Sequence, residues 1–401
     1  MYIVNILDRV NLGYAAMEMN RDLNITSVAY GTLSAAFFIS FLMFEVPSNI
    51  ILHHLGTKKW MARIMITWGF ITALHFFAQN FTQIYLLRFL LGIAEAGFFP
   101  GIIYYFTYWF PAKERAWATS LFMVASPVSN IIGAPLAVFI LDHIHWFSYA
   151  GWRWLFVIEG VPAIILGIIT LLFMTNKPQD AKWLTPEEKD WLTQEIQREQ
   201  VQNQIQHVSI AKVFAHSKVL HLVVIHITIQ MMFQSISFWM PTIVKEFSNT
   251  FSNTDVGLIM MLPGIAGAIA MPIWALHSDR AKERKWHIAL PILLSALGLA
   301  MTGFSSSITV KILGVVLNGM GNACFYGPFW SLPATFLTTE SAAVGVAIIN
   351  SSSSIGGFFG NKIVGVIKDS SLGVSGVLVF LIVCCLGAFT LTMTLRLKEA
   401  I

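Results

Sequence analysis

LLRFLLGIAEAGFFPG, residues 86–101, places Arg88 and Glu95 inside an apolar stretch running from about residue 83 to 109. A helix needs about 20 apolar residues to cross the hydrocarbon core of a bilayer, and this stretch is long enough. An ionisable side chain at that depth costs several kcal/mol unless it pairs or lines a cavity, so its presence points to work. Arg88 and Glu95 are seven residues apart, two helical turns, which sets both on one helix face.

The rest of the chain fits that reading. Of 401 residues, 56% are hydrophobic and only 11% charged, against about 25% charged in a soluble protein. Apolar runs fall near 30–52, 60–79, 83–109, 117–141, 152–174, 217–243, 255–276, 287–305, 310–337, 342–367 and 374–396. These are eleven predicted spans. A twelfth is implied at the start, where apolar residues flank Asp8-Arg9. Only seven residues precede Asp8, so this first helix is expected to lack about half of a span, and a native start some 20–30 residues earlier is expected. No basic leader or small-residue cleavage site marks a signal peptide.

The net charge of +4 does not argue for nucleic acid. Lys58, Lys59, Arg63, Lys113, Arg115, Arg280, Lys282, Arg284 and Lys285 fall in alternate short loops, and Arg396 and Lys398 follow the last span. By the positive-inside rule these loops and both termini face the cytoplasm. Cys324, Cys384 and Cys385 lie inside apolar runs with no disulfide or metal spacing, so no metal or other cofactor is expected.

One polar stretch interrupts the pattern. Thr185-Pro186 with Glu188 predicts a capped helix in a cytoplasmic linker, residues 175–216. On either side the chain repeats itself. KKWMAR at 58–63 echoes RKWHIA at 284–289, and Phe110-Pro111 with Glu114 and Ala116 echoes Leu332-Pro333 with Glu340 and Ala342. Two six-helix bundles, 1–174 and 217–401, explain the repeat, and such repeats mark transporters that bind at the repeat interface.

These segments resemble the major facilitator superfamily and, within it, the anion:cation symporter family. The resemblance rests on Leu7-Asp8-Arg9-Val10-Asn11, EVPSNIILHHLG (45–56), KKWMARIMITWG (58–69), LLRFLLGIAEAGFFPG (86–101), YWFPAKERAWA (108–118), GWRWLFVIEG (151–160) and SDRAKERKWH (278–287). It runs along the whole chain, and GWRWLFVIEG and EVPSN look most like the tartrate, phthalate and hydroxyphenylacetate branch. The resemblance implies an all-α integral membrane protein of twelve helices in a bacterial inner membrane. It implies a monomer that carries a small organic anion with protons and is no enzyme. His53 and His54 stand where the family usually has an Asp-Arg pair, whereas the second copy keeps Asp279-Arg280. An acid there can cap a helix N-terminus, so the cytoplasmic gate is expected to rest on Asp279 and Arg280.

Five charges lie deep in apolar spans: Asp8, Arg9, Glu45, Arg88 and Glu95. Asp8 and Arg9 are adjacent and so point about 100° apart. Ionised, Asp8 and Glu95 can each mask a nearby arginine, and protonation frees that arginine for a substrate carboxylate. The resemblance assigns Asp8 and Glu95 to proton carriage and Arg88 to carboxylate anchoring, with Arg9 as a second cationic contact. The alternative is a buried pair network that holds the first bundle together. Glu45, near the cytoplasmic end of its span, is expected in a gate or loop salt bridge.

Polar groups in other spans suggest the remaining pocket: Ser126, Ser129 and Asn130, Gln230 and Gln234, Asn318 and Asn322, and the run from Asn350 to Ser354. They can bind a hydroxy acid or glue helices together. Asn350 matches a family substrate contact. Trp330 is expected to wall the pocket, and Phe41 stands where sugar-acid carriers can have Tyr. Glu159 suits helix packing or a gate contact equally, while His221 and His226, five apart, do not share a face well. Competing readings are an amino-acid or nucleoside importer on the same scaffold, or a nutrient receptor that signals without transport.

Overall fold

The computed structural model describes residues 1–203, 210–337 and 339–395. Arg396 and Lys398 lie outside the described residues. The first half comprises α1 (Tyr2–Asp22), α2 (Ser27–Leu55), α3 (Thr57–Leu74), α4 (Phe81–Glu95), α5 (Phe98–Trp109), α6 (Ala112–Met123), α7 (Ala125–His143) and α8 (Gly151–Phe173). Two polar-region helices follow, α9 (Pro186–Asn203) and α10 (Ile210–Phe214). The second half comprises α11 (Ser217–Lys245), α12 (Asn253–Ala281), α13 (Lys285–Phe304), α14 (Ile308–Ser331), α15 (Thr339–Asp369) and α16 (Gly373–Thr394).

Ten stretches among the described residues are long and apolar enough to cross a membrane, with Phe81–Trp109 and Trp117–His143 each counted as one. Outside those ten, α1 and α15 also have the length, at 21 and 31 residues. Together they make the expected twelve. α1 is longer than the sequence reading allowed, because the polar residues Glu18–Asp22 continue its helix. At about 1.5 Å per residue, 21 residues reach roughly 30 Å, enough to span.

The linker begins as its residues predict. The backbone N–H of Glu188 donates to Thr185 Oγ1 at 3.3 Å, and the N–H of Thr185 donates to Glu188 Oε2 at 2.9 Å. That reciprocal pair satisfies two donors that a helix start leaves open. His53 and His54, just beyond the predicted span 30–52, form the last turn of α2 before Gly56 at φ +82°. Gly56 ends the helix because the left-handed region suits a residue without Cβ.

The repeat in sequence returns in packing. α3 rests on α4 and α8 as α13 rests on α14 and α16; α2 meets α4 as α12 meets α14; α1 meets α8 as α11 meets α16. The contacts between halves obey the same two-fold relation, with α2 against α15, α7 against α12, and α1 against α11. Small residues permit the close approaches. A Cβ on Gly31 of α2 would stand 2.5 Å from the Asn361 carbonyl of α15, and one on Gly13 of α1 would stand 2.8 Å from the Ser237 carbonyl of α11.

One end of this interface is tied shut. Asp369, closing α15, accepts from the N–H groups of Ser27 and Val28 at 3.1 and 2.9 Å. A carboxylate on a helix N-terminus is favoured by the unpaired N–H groups and the helix dipole. Nearby, Asp142 accepts from Asn253 and Thr254, Glu18 accepts from Asn253, and Lys368 pairs with Glu246 at 2.9 Å. One layer deeper, the Tyr30 hydroxyl donates to the Phe238 carbonyl at 2.9 Å. Gly31 sits one helical turn inside the Asp369 cap. Gly31→Leu should therefore wedge this end apart at a cost of about 1–3 kcal/mol, typical of overpacking. Thiol labelling of a cysteine placed at Thr26 should speed up in that variant; an unchanged rate would mean that the α2–α15 contact does not hold the end closed.

Candidate functional site

The site begins with a broken helix. The stretch read as one span, 83–109, is two helices, because Ala96 leaves helical geometry at ψ 130° and Gly97 turns left-handed at φ +88°. Gly97 also has no room for a side chain, since a Cβ there would lie 2.4 Å from Ser48 Oγ. The Ser48 hydroxyl donates to the Ala96 carbonyl that the break exposes, and the Trp60 indole N–H donates to Ser48 at 3.0 Å. Irregular backbone is tolerated within a membrane only when its polar groups are met in this way. Glu95 is the last residue before the break.

Two side chains of α1, one helical turn apart, then reach the end of α4. Arg9 Nε donates to Glu95 Oε2 at 2.9 Å, and Asn5 Nδ2 donates to the same oxygen at 2.9 Å. Glu95 is fully buried, while the Arg9 side chain keeps 34% exposure, so one side of this pair remains reachable. Arg9 also lies 5.3 and 5.1 Å from the ring centres of Phe37 and Phe41. Asp8 points away from Arg9, as adjacency requires, and accepts from the Thr72 hydroxyl of α3 at 2.9 Å.

Arg88 is the exception. It is fully buried, and none of its three guanidinium nitrogens has a hydrogen-bond partner among the described residues. Its nearest company is aromatic, Phe37 at 5.1 Å and Phe238 at 5.8 Å from ring centre to guanidinium carbon. A cation over a ring face is attracted by the ring quadrupole, worth about 2 kcal/mol when desolvated. That does not replace five lost N–H hydrogen bonds. The expected masking of both arginines by acids is therefore corrected. Glu95 masks Arg9, whose Nε reaches the end of α4, whereas Arg88 lies two turns earlier on α4 and is bonded by neither acid.

Other expected groups are spread out. Glu45 is buried and accepts from the Ser351 hydroxyl of α15 at 3.1 Å. It thus joins the two halves through a serine, where a salt bridge was expected. Asp279 pairs with Arg284, in the turn after its own helix, and both Asp279 and Arg280 are exposed. Gln230 is buried and accepts from the Tyr326 hydroxyl at 3.3 Å, while Gln234 is half-buried one turn on. Asn318 turns toward Ser295 within the second half, and the Asn322 carbonyl oxygen has no partner among the described residues. Asn350 and Ser126 are half-buried, Asn130 is exposed on α7, and Ser129 bonds the Ile3 and Ala125 carbonyls. Trp330 stands edge-on to His226 at 5.3 Å. His226 meets Ser352, while His221 meets the Leu391 carbonyl, so the two histidines have separate partners.

Sequence reasoning missed Asn5, Thr72, Phe37 and Phe238. Asn5 was accessible, since it precedes Arg9 by four residues and shares its helix face. Thr72 and the two rings lie on other helices and carry no charge that would have flagged them.

The profile of the Major Facilitator Superfamily matches residues 1–361. A candidate tartrate transporter of Agrobacterium vitis is 41% identical over 395 residues, covering 98% of this chain and 88% of that protein. NicT, a candidate metabolite transport protein of Pseudomonas putida, is 39% identical over 375 residues, covering 92% of this chain and 84% of its own. In fold, a bacterial homologue of the human lysosomal transporter Spinster, crystallised inward-facing and unoccupied, superposes with a TM-score of 0.80 at 16% identity, covering 100% of this chain and 97% of that one. The chain belongs to the Major Facilitator Superfamily and is a multi-pass membrane transporter, not an enzyme.

Proposed function

We propose that this chain carries a small organic anion, a carboxylate, across a bacterial inner membrane together with protons. Its two bundles, 1–174 and 217–401, alternate access around a site between them, joined by the 175–216 linker. The observation that carries the reading is Arg88, buried without a hydrogen-bond partner next to a masked second arginine. A buried charged donor that the protein leaves unbonded costs several kcal/mol, and a planar carboxylate fits its fork. Relatives described as transporters of tartrate and of metabolites support the same class.

Arg9 supplies the coupling. With Glu95 ionised, Arg9 is engaged; with Glu95 protonated, the ion pair dissolves and Arg9 offers a second guanidinium to the anion. Two cationic contacts suit a substrate with two acidic groups. By the positive-inside rule the end closed by Asp369 faces outward and the termini face the cytoplasm, so the described state opens inward. Glu45 with Ser351 would then act inside the interface and Asp279 with Arg280 at its cytoplasmic rim. Polar groups from Ser126, Asn130, Gln230, Gln234, Asn322 and Asn350, with Trp330 and Phe41, would complete the pocket as the halves close.

Two substitutions test this in proteoliposomes offered tartrate, other hydroxy acids and aromatic acids. Arg88→Lys keeps the charge and loses the planar fork. One charged hydrogen bond is worth about 1.5–3 kcal/mol, so uptake should fall about 10- to 100-fold; wild-type affinity in the lysine variant would remove Arg88 from anchoring. Glu95→Gln keeps the size of the side chain and leaves Arg9 without its counter-charge. Exchange of labelled for unlabelled anion should continue, binding should lose much of its pH dependence, and an imposed proton gradient should no longer concentrate the anion. Accumulation by Glu95→Gln at the wild-type level would make Glu95 structural.

A further inference from the structure

A fourth membrane carboxyl, after Asp8, Glu45 and Glu95, remains outside this scheme. Glu159 of α8 is 3% exposed, and neither of its oxygens has a hydrogen-bond partner among the described residues. Among the described residues no arginine or lysine is paired with it. The next residue, Gly160, packs against α3 so tightly that a Cβ there would stand 3.3 Å from the Thr72 Cβ and 2.7 Å from the Gly69 carbonyl. Thr72 is the residue whose hydroxyl is given to Asp8. Asp8 is itself 1% exposed, and its Oδ1 is likewise without a partner. Asp8 and Glu159 lie within electrostatic reach of each other.

Arg9, Glu95 and Asn5 are bonded together, whereas Asp8 and Glu159 share a wall of α1, α3 and α8 and, among the described residues, neither is bonded to a cation. Arg88, itself unbonded, lies within electrostatic reach of Asp8 but not in a hydrogen bond with it. Two carboxyl groups in such a place cannot both stay ionised, because each charge raises the cost of the other. An ionised carboxylate with no donor in a dry interior is costlier still.

We propose that Glu159 and Asp8 form a two-carboxyl proton store, in which Glu159 holds a proton whenever Asp8 is ionised. No hydrogen bond links the two carboxyls in the described state. Transfer, which breaks the O–H bond of one and forms that of the other, therefore requires the two side chains to swing into contact, and the pair carries one negative charge before and after. Loading the pair fully takes one further proton from the aqueous side. Glu159 thereby becomes a second proton-holding residue on the Asp8 side of the site. The consequence for transport rests on the proton-coupled reading above; the store itself does not.

Around the pair, Asp8 has Glu95, Arg88 and Arg9 within its electrostatic reach, and few other titratable groups face Glu159. α1 contributes Asp8 and Tyr14, the latter also within its electrostatic reach. The turn after α3 contributes His75, stacked on Phe156 at 4.7 Å, one turn before Glu159. α7 carries Asp142 and His143 at its far end, where Asp142 is bonded to Asn253 and Thr254.

Infrared difference spectroscopy of the reconstituted full chain across a pH titration tests the store without any substrate. Wild type should show a protonated-carboxyl C=O band that Glu159→Gln removes and that disappears as pH rises. In Asp8→Asn, where the like charge is gone, that band should vanish at lower pH by about one unit or more. The conservative Glu159→Asp should restore a titrating band, which guards against a folding defect in the glutamine variant. A Glu159 band unmoved over the whole range would mean a permanently neutral packing residue. A band titrating identically in Asp8→Asn would mean two independent acids, and no band lost in Glu159→Gln would mean an ionised Glu159; each overturns the proposal. Should the pair titrate as expected while wild-type vesicles fail to accumulate any carboxylate under a proton gradient, the coupling reading falls and the store stands.

Discussion

Burying ions in a hydrocarbon medium is the constraint on which the rest of this structure depends. Each unpaired charge there costs several kcal/mol, and a fold retains it only when something else offsets the cost. Arg9 and Glu95 offset each other at 2.9 Å. Arg88 has only aromatic faces beside it, and Asp8 has a single hydroxyl. The uneven pairing is informative. A network built for stability alone would match each arginine to an acid, since Asp8, Glu95 and Arg88 all sit within the same wall of α1, α3 and α4. On the proposed function, the unbonded guanidinium in that wall is the place for an anion that arrives from outside the protein.

The backbone is arranged around the same requirement. α4 stops at Glu95 because Gly97 can turn left-handed and Ser48 can take the exposed carbonyl, which fixes the height of the carboxylate relative to Arg9. Contacts between the halves then cluster toward the Asp369–Ser27 end and run inward through Gly31 to Glu45–Ser351. These are hydrogen bonds and glycine contacts, which can part and re-form more readily than a large interdigitated apolar core. Such an interface suits two rigid halves that rock about a central site. The linker helix carries its own cap between Thr185 and Glu188.

Much of the fold was legible in the sequence because lipid imposes a simple code. Apolar length marks a span, basic loops mark an orientation, and the echo of KKWMAR in RKWHIA marks the repeat, each at the head of an equivalent helix, α3 and α13. The code fails where polar residues continue a helix. α1 was expected to fall short because its apolar residues give way to Glu18–Asp22, and the apolar run 30–52 stops just before His53 and His54, which close α2. The break after Glu95 was hidden because Ala-Gly in an apolar run is compatible with a continuous helix; only the tight contact between Gly97 and Ser48 decides it. At the site, charge made Asp8, Arg9, Arg88 and Glu95 conspicuous, but their pairing depends on which helices are neighbours. Periodicity along one helix carries no such information, so the unbonded state of Arg88 was not foreseen and Thr72 was overlooked.

The most direct measurement is an experimental structure of the reconstituted chain with a carboxylate that it transports. The account predicts that carboxylate on Arg88, both oxygens about 2.7–2.9 Å from guanidinium nitrogens, the usual range for charge-assisted bonds, with Arg9 released from Glu95 at low pH. An anion bound elsewhere, with Arg88 still unbonded between Phe37 and Phe238, would contradict it.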